Sequence, residues 1–541
     1  MTLSIMIILW IVGKKIKNKK LVEKAMILKK LKVHIKILIV ALVIPMTGFA
    51  DEKKYEPTWS SLDSRENPKW FHDAKFGIFI HWGLYSVPSY APRGTYAEWY
   101  WHAKDGDQTG KHQAAVGRAN AINDFHNRVY GADFEYKDFR EHFTCEMFEP
   151  KEWAALFKRS GAKYVVLTSK HHDGYCLWPS KEASKSFGMP WNSVDSGPQR
   201  DLVGELTDAV REEGDIKMGL YYSIWDWFNP FWPEKDQPTH RKKKGNDVTR
   251  QKYINEVMAP QFKDIVNRYA PSVIFSDGDW WMDDEKWETK PLLAWLFNEA
   301  PNKEEVVIND RWGKVRKKHG GYFTTEYGSG FEDPSIIWEE NRGIGKSFGY
   351  NRQETYDDYN SEELLVYMLC DIVSRGGNFL LDIGPTADGR IPVIMEERLI
   401  QLGEWLDING EAIFNTRRWI RDCQWGEGEI YAYTKQEFHH GIPDPILEMA
   451  KAPKENQARK ECYFTAKDDK LYVLITMLPD CGTFIIKDLQ LDSSSEISML
   501  GVEGKLEFKN NKNNVEVILP HLNPSKLPCK HVYVLEISNV N

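Results

Sequence analysis

The sequence predicts an α/β chain: a (β/α)8-like barrel of the TIM type, regular or irregular, followed by a C-terminal antiparallel β-sandwich. Three observations carry this. From about Asp63 to Ala412, short apolar runs alternate with amphipathic helical stretches, the pattern of parallel strands joined by crossover helices. Polar and aromatic residues follow nearly every run, as at the C-terminal face of a barrel. Past Phe414 the texture changes to short alternating runs separated by Gly, Asp and Asn, which reads as a small sandwich. The 541 residues are too many for one ordinary domain and suit a barrel plus a smaller module.

Residues 1–50 stand apart. Met26 to Ala50 opens with Lys29, Lys30, Lys32 and Lys36, runs apolar from Ile37 to Pro45, and ends Thr47-Gly48-Phe49-Ala50 before the polar Asp51-Glu52-Lys53-Lys54. That order predicts a signal peptide cleaved after Ala50, behind an upstream segment, and export to the periplasm or the exterior. The apolar run is short for a membrane span, so no stable membrane insertion is expected after processing. Residues 51–415 are then expected to form the barrel and 416–541 the sandwich. Residues 1–50 hold ten Lys and one Glu, so their loss takes the formal charge from −8 to −17. An acidic surface argues against nucleic acid as a partner; homo-oligomerisation is left open. The seven Cys are scattered without CxxC pairs or zinc spacing, so neither a disulfide framework nor a metal is read. No GxGxxG or P-loop follows a strand, against a nucleotide cofactor.

The strands are expected at Phe76–Ile80, Tyr164–Thr168, Lys217–Tyr222, Val273–Ser276, Val306–Asn309 and Phe379–Ile383. Helices are expected at Glu149–Ser160, with Pro150 near the first turn, and at Asp201–Glu213, with Leu202, Leu206 and Val210 at helical spacing. Val248–Tyr269, Ser361–Arg375 and Val393–Ile408 complete the series. Ala103–Tyr136 is long and polar and reads as an excursion after the first strand. In the C-terminal region the runs are Tyr431–Tyr433, Leu471–Thr476, Thr483–Ile486, Val515–Leu519 and His531–Ile537.

The chemistry gathers at strand ends. Pro271–Trp281 passes from a buried β-branched strand into Asp277-Gly278-Asp279-Trp280-Trp281. A carboxylate where a core strand ends, walled by aromatics, must be used or compensated; a plain Asp-Gly turn fits the stretch equally well. Other strands end in His81-Trp82, in His171-His172-Asp173, in Tyr221-Tyr222-Ser223 and in Asp310-Arg311-Trp312. Glu98 and Trp99 lie just beyond the first. Adjacent histidines on an extended segment point to opposite faces, so His171 and His172 read as donors to hydroxyls rather than as ligands of one metal. Together these groups suggest a polyol-binding cup with aromatic walls, for which the 21 Trp are suited.

Seven segments give this a sharper reading: KFGIFIHWGLYSVP (75–88), KHHDGY (170–175), GLYYS (219–223), SDGDW (276–280), NDRWG (309–313), WEENRGIGKSFGYNR (338–352) and GGNFLLDIGPTADG (376–389). In order and across nearly the whole barrel region, they resemble the α-L-fucosidases of glycoside hydrolase family 29. The resemblance implies an exo-acting retaining enzyme that releases terminal L-fucose from glycans through a covalent fucosyl-enzyme, without metal or organic cofactor. It puts Asp277 in the nucleophile's position. For the second carboxylate, which serves as acid and then base, it offers Glu326 and Glu339; members similar around GIGKSFGYNR favour Glu326, leaving Glu339 a binding role. It assigns His81, Glu98, Trp99, His171, His172, Tyr221 and Arg311 to the fucose hydroxyls. Phe79, Phe275 and Phe348 go to a pocket for the C6 methyl, Phe275 standing where the family has a tryptophan. An apolar slot would reject a sugar bearing a C6 hydroxyl. The rival readings are a non-hydrolytic carbohydrate-binding protein, another retaining exo-glycosidase on a similar barrel, and a metallohydrolase built on His171 and His172.

Overall fold

Eight parallel strands form one curved sheet: β1 (Phe76–Ile80), β2 (Tyr164–Lys170), β3 (Lys217–Ser223), β4 (Val273–Asp277), β5 (Val307–Ile308), β6 (Phe323–Glu326), β7 (Trp338–Gly343) and β8 (Asn378–Ile383). The computed structural model describes residues 54–106, 113–231, 247–328, 330–331, 333–430, 446 and 456–540. The strand order β5-β4-β3-β2-β1-β8-β7-β6 brings first and last strands together, as the expected barrel requires. Its seam lies between β5 and β6. There the ladder thins to the Tyr322 amide donating to the Ile308 carbonyl at 3.1 Å. The Asp310 carboxylate continues the wall by accepting from the Thr324 amide at 3.1 Å and hydroxyl at 2.8 Å.

Helices between the strands start where the sequence offers a cap. Pro150–Arg159 begins on proline, whose missing N–H costs nothing in a first turn. Leu202–Glu213 is capped by Asp201, which accepts from the Gly204 amide at 2.9 Å, and Glu362–Ser374 by Ser361. Each such cap contributes about 1 kcal/mol. The stretch expected as one helix to Tyr269 is helical from Asp247, but Ile254–Met258 widens into a π-turn just before Pro260, which cannot donate to the turn behind it. The excursion carries a helix of its own, Gln113–Val129.

Strand β7 was not anticipated. Its residues, Trp338-Glu339-Glu340-Asn341-Arg342-Gly343, are all buried, yet no apolar run or alternation marks them. They are tolerated because most are paired: Arg342 donates to Glu340 at 2.7 Å and to the Gly328 carbonyl at 3.0 Å, and Asn341 donates to the Thr325 carbonyl at 2.8 Å. Hydrophobic periodicity is blind to a strand whose interior face is polar.

The C-terminal strands are β9 (Arg417–Trp425), β10 (Lys460–Lys467), β11 (Lys470–Ile475), β12 (Thr483–Ile486), β13 (Glu496–Met499), β14 (Lys505–Leu506), β15 (Phe508–Asn511), β16 (Asn514–Ile518) and β17 (Tyr533–Ser538). They make a six-stranded sheet, β14-β13-β17-β11-β10-β9, and a three-stranded sheet, β12-β16-β15. Phe464, Val473 and Ile537 from one and Ile486 and Val517 from the other share one buried core, as in a sandwich. The expected run Tyr431–Tyr433 and the expected leader, residues 1–50, lie outside the described residues. Lys460 on β10 reaches Asp371 at 2.5 Å, a residue of the helix Glu362–Ser374, so a buried ion pair ties sandwich to barrel.

Candidate active site

Side chains alternate along a strand, so residues two apart share the barrel interior. In register, Tyr221 lies beside Phe275 and Ser223 beside Asp277. Asp277 therefore ends β4 on the interior face, only 8% exposed. Its Oδ1 accepts from Arg311 at 2.9 Å and Arg316 at 3.3 Å, and its Oδ2 from Tyr221 at 3.0 Å. His172 Nε2 lies 3.5 Å from Oδ2. Burial alone would raise the Asp277 pKa, but Arg311, His172 and Arg316 outweigh it and hold the carboxyl well below its ordinary range. The chain must turn at once: Gly278 has φ +80°, and a Cβ there would sit 2.9 Å from the Trp225 Cβ.

Arg311 connects two carboxylates. Its Nη1 donates to Asp277, its Nη2 to Glu326 Oε2 at 3.3 Å, and its Nε to the Thr324 hydroxyl at 3.0 Å. Its guanidinium lies over the Phe275 ring, 5.0 Å from the centroid. Glu326 ends β6 and also accepts from the Tyr96 hydroxyl at 3.2 Å.

The histidines gather here too. His81 Nδ1 meets Asp382 Oδ1 at 2.5 Å. Burial pushes the His81 pKa down to about 3 and that of Asp382 well up. Burial thus acts against the charged form of both partners. His171 stacks on Tyr221 with ring centroids 5.7 Å apart, and its Nδ1 has no partner among the described residues. His172 Nδ1 is 2.6 Å from the Ser223 hydroxyl. The expectation of opposite faces fails: the His171 and His172 rings are 4.4 Å apart. Strand β2 has ended at Lys170 and the pair lies in a turn, where the two-residue alternation no longer holds.

One wall is apolar. Phe79 and Phe275 are 4.9 Å apart, Phe348 lies 6.4 Å from Phe79, and the His81 ring stacks on Phe348 at 4.9 Å. Glu98 lies behind this wall, accepting from the Gly349 amide at 2.9 Å, and burial pushes its pKa up to about 7. Trp99 packs on Trp227 at 4.9 Å and faces His172 at 5.8 Å.

The sequence model of the family described as alpha-L-fucosidase matches residues 42–411, and that of the alpha-L-fucosidase C-terminal domain matches residues 454–538. An alpha-L-fucosidase of Branchiostoma floridae is 37% identical over 506 residues, 92% of this chain and 99% of its own length. The chain belongs to the alpha-L-fucosidase family. The human tissue alpha-L-fucosidase is 36% identical over 90% of this chain and 92% of its own. The solved alpha-fucosidase of Thermotoga maritima in complex with fucose is 36% identical with a TM-score of 0.69, covering 90% of this chain and all of that one. The chain's activity is accordingly that of an alpha-L-fucosidase, a glycoside hydrolase. The carbohydrate-binding and other-glycosidase alternatives fall away with it.

Within this fucosidase frame, Glu339 stands apart from the cup. It is fully buried on β7, level with Asn378, while Gly343, level with Asp382, lies four residues farther along, roughly 13 Å. Its Oε2 accepts from Tyr164 at 2.5 Å, and its Oε1 has no partner among the described residues. Burial pushes its pKa up to about 8. One residue of the cup escaped the sequence reading. Arg316 touches Asp277 and pairs with Asp279 at 2.8 Å; it stands in a loop with no strand-end signal. Asp382 was visible only as a member of the segment 376–389. Trp227 packs on Trp99 and His172, with its indole N–H unpartnered among the described residues. No helix among the described residues is long and apolar enough to cross a membrane.

Proposed function

We propose that Asp277 is the nucleophile of this fucosidase and Glu326 its acid/base. The observation that carries this is Arg311, one guanidinium hydrogen-bonded to both carboxylates. In this reading an Asp277 oxygen attacks the anomeric carbon, the bond to the leaving oxygen breaks with its electron pair, and Glu326 gives that oxygen a proton. Glu326 then takes a proton from the water that attacks the same carbon and releases Asp277, so configuration is retained. His81, His171, His172, Tyr221, Trp99, Glu98 and Arg311 hold and orient the hydroxyls, and Phe79, Phe275 and Phe348 receive the C6 methyl. The depth of Glu339 and its Tyr164 partner favour a role in the barrel floor over one against substrate.

The test separates the two glutamates. A general acid matters most for a poor leaving group and contributes about 10²–10⁴ in rate. Glu326→Ala should lose far more activity on fucosyl oligosaccharides than on an activated aryl fucoside. With azide it should form α-fucosyl azide. That product from Glu339→Ala and not from Glu326→Ala would move the role to Glu339.

The same reading keeps the barrel at 51–415, the sandwich at 416–541, and export after cleavage near Ala50. N-terminal sequencing of the native protein tests the last point; a mature start at or before Lys36 overturns it.

A further inference from the structure

At the other end of the barrel, where the chain enters β1 and β9 begins, lies a cavity of about 390 Å³ that the fucosidase site does not use. Lys75, His72, Arg417 and Arg418 line it together with apolar Ile337 and Trp419, and no carboxylate among the described residues does. Lys75 is the unusual member. It is 3% exposed, and only charge at a distance acts on its ammonium, with no hydrogen bond among the described residues. The near carboxylate, Asp73, is taken by Lys69 and by Arg417, the latter at 2.7 Å. The backbone is unusual as well. Lys75 closes the helix Lys69–Ala74 with φ +58° and ψ −34°, a conformation that costs a non-glycine residue on the order of 1–3 kcal/mol. Burial first, and Arg417 second, push the Lys75 pKa down to about 7. This buried cation, beside another cation, has no carboxylate in contact among the described residues to offset its charge, and it lines a space large enough for a small molecule.

We propose that this cavity binds a small oxyanion carried on a body with an apolar face, such as a phosphate or sulfate monoester or an aromatic carboxylate. The oxyanion supplies the counter-charge Lys75 lacks and meets the guanidinium side of the cavity. The body lies against Ile337 and Trp419.

Pyridoxal 5′-phosphate with borohydride reads the site directly. The Lys75 amine adds to the aldehyde and loses water to give the imine, and hydride from borohydride reduces this to a stable secondary amine. Peptide mapping should find the label at Lys75, and pyridoxal, which lacks the phosphate, should label it far less. Phenyl phosphate at about ten times its Kd should cut incorporation there about tenfold, while L-fucose should not. Inorganic phosphate, phenyl sulfate and benzoate as competitors tell head group from body. Phenyl phosphate should also raise the Tm at fixed ionic strength, and Lys75→Met should abolish that shift while still hydrolysing an aryl fucoside. Label confined to other lysines, or incorporation at Lys75 that none of the oxyanions reduces, overturns the proposal. The labelling needs only the wild-type protein, so it decides even where Lys75→Met does not fold.

Discussion

At the rim of the barrel Asp277 accepts hydrogen bonds from two arginines and a tyrosine; on the barrel floor Glu339 accepts one from Tyr164 and has an oxygen without a partner among the described residues. Both carboxylates are buried and both project from strands of one sheet. Yet the first is held well below its ordinary pKa and the second is pushed up to about 8. Burial acts the same way on both, against charge. What differs is contact with a cation: Arg311 and Arg316 hydrogen-bond to Asp277, whereas Arg311 acts on Glu339 only from a distance. The lesson is that burial raises both carboxyls, and a guanidinium in contact overrides it at one of them.

The contrast breaks most visibly at Asp277. Asp277→Ala should abolish fucoside hydrolysis by about 10⁴-fold or more, as loss of a catalytic nucleophile does, while circular dichroism and the unfolding transition stay close to wild type. Azide should restore part of the turnover and give β-fucosyl azide. A folded Asp277→Ala protein with near wild-type hydrolysis would remove the nucleophile assignment.

Next in size is Arg311→Met. It removes the cation that lowers Asp277, so the Asp277 pKa should rise and the carboxyl should be protonated at a higher pH. The acid limb of kcat/KM should therefore move to higher pH, and the pH-independent rate should fall by roughly 10²–10³ as a charge-assisted contact is lost. An unmoved acid limb, whatever the rate, would show that Arg311 does not set the Asp277 charge.

The smallest effect on rate belongs to the floor. Glu339→Gln should change aryl fucoside hydrolysis by no more than about twofold, since it keeps size and a hydrogen-bonding amide. Its effect should appear in stability against pH. The Glu339 pKa is raised on folding from its ordinary value of 4.5 to about 8, so between those values the folded state binds a proton that the unfolded state does not. Wild-type stability relative to Glu339→Gln should be greatest below the lower value. It should then fall by a few kcal/mol, in order of magnitude, as pH rises through the upper one. Denaturant midpoints measured from pH 4.5 to 8.5 check this; parallel pH profiles would mean Glu339 is ionised in the floor. Loss of activity as deep as that of Glu326→Ala would erase the distinction between rim and floor.

Much was legible in the residues themselves. The strands that bring Phe79, His81, Tyr221, Phe275 and Asp277 inward are short, apolar and β-branched or aromatic, and two-residue alternation puts their ends in one cup. Antiparallel texture past Phe414 follows from the same rule. Fold class and the carboxylate that ends β4 are therefore consequences of local pattern, whereas the family and the phenylalanine wall followed from the resemblance of whole motifs. Tertiary structure decided the rest, because it depends on which distant groups meet. β7 is buried as a strand only because Glu340 and Arg342 pair with each other and Asn341 and Arg342 donate to the Thr325 and Gly328 carbonyls. His171 and His172 face the same way because β2 ends one residue before them. Arg316, from a loop, lies 3.3 Å from Asp277, and Glu326 and Glu339, indistinguishable as letters, lie at two heights of one barrel. A sequence specifies each group's chemistry and the period of its strand; the charge it carries is set by desolvation and by the nearest opposite charge, both properties of the folded whole.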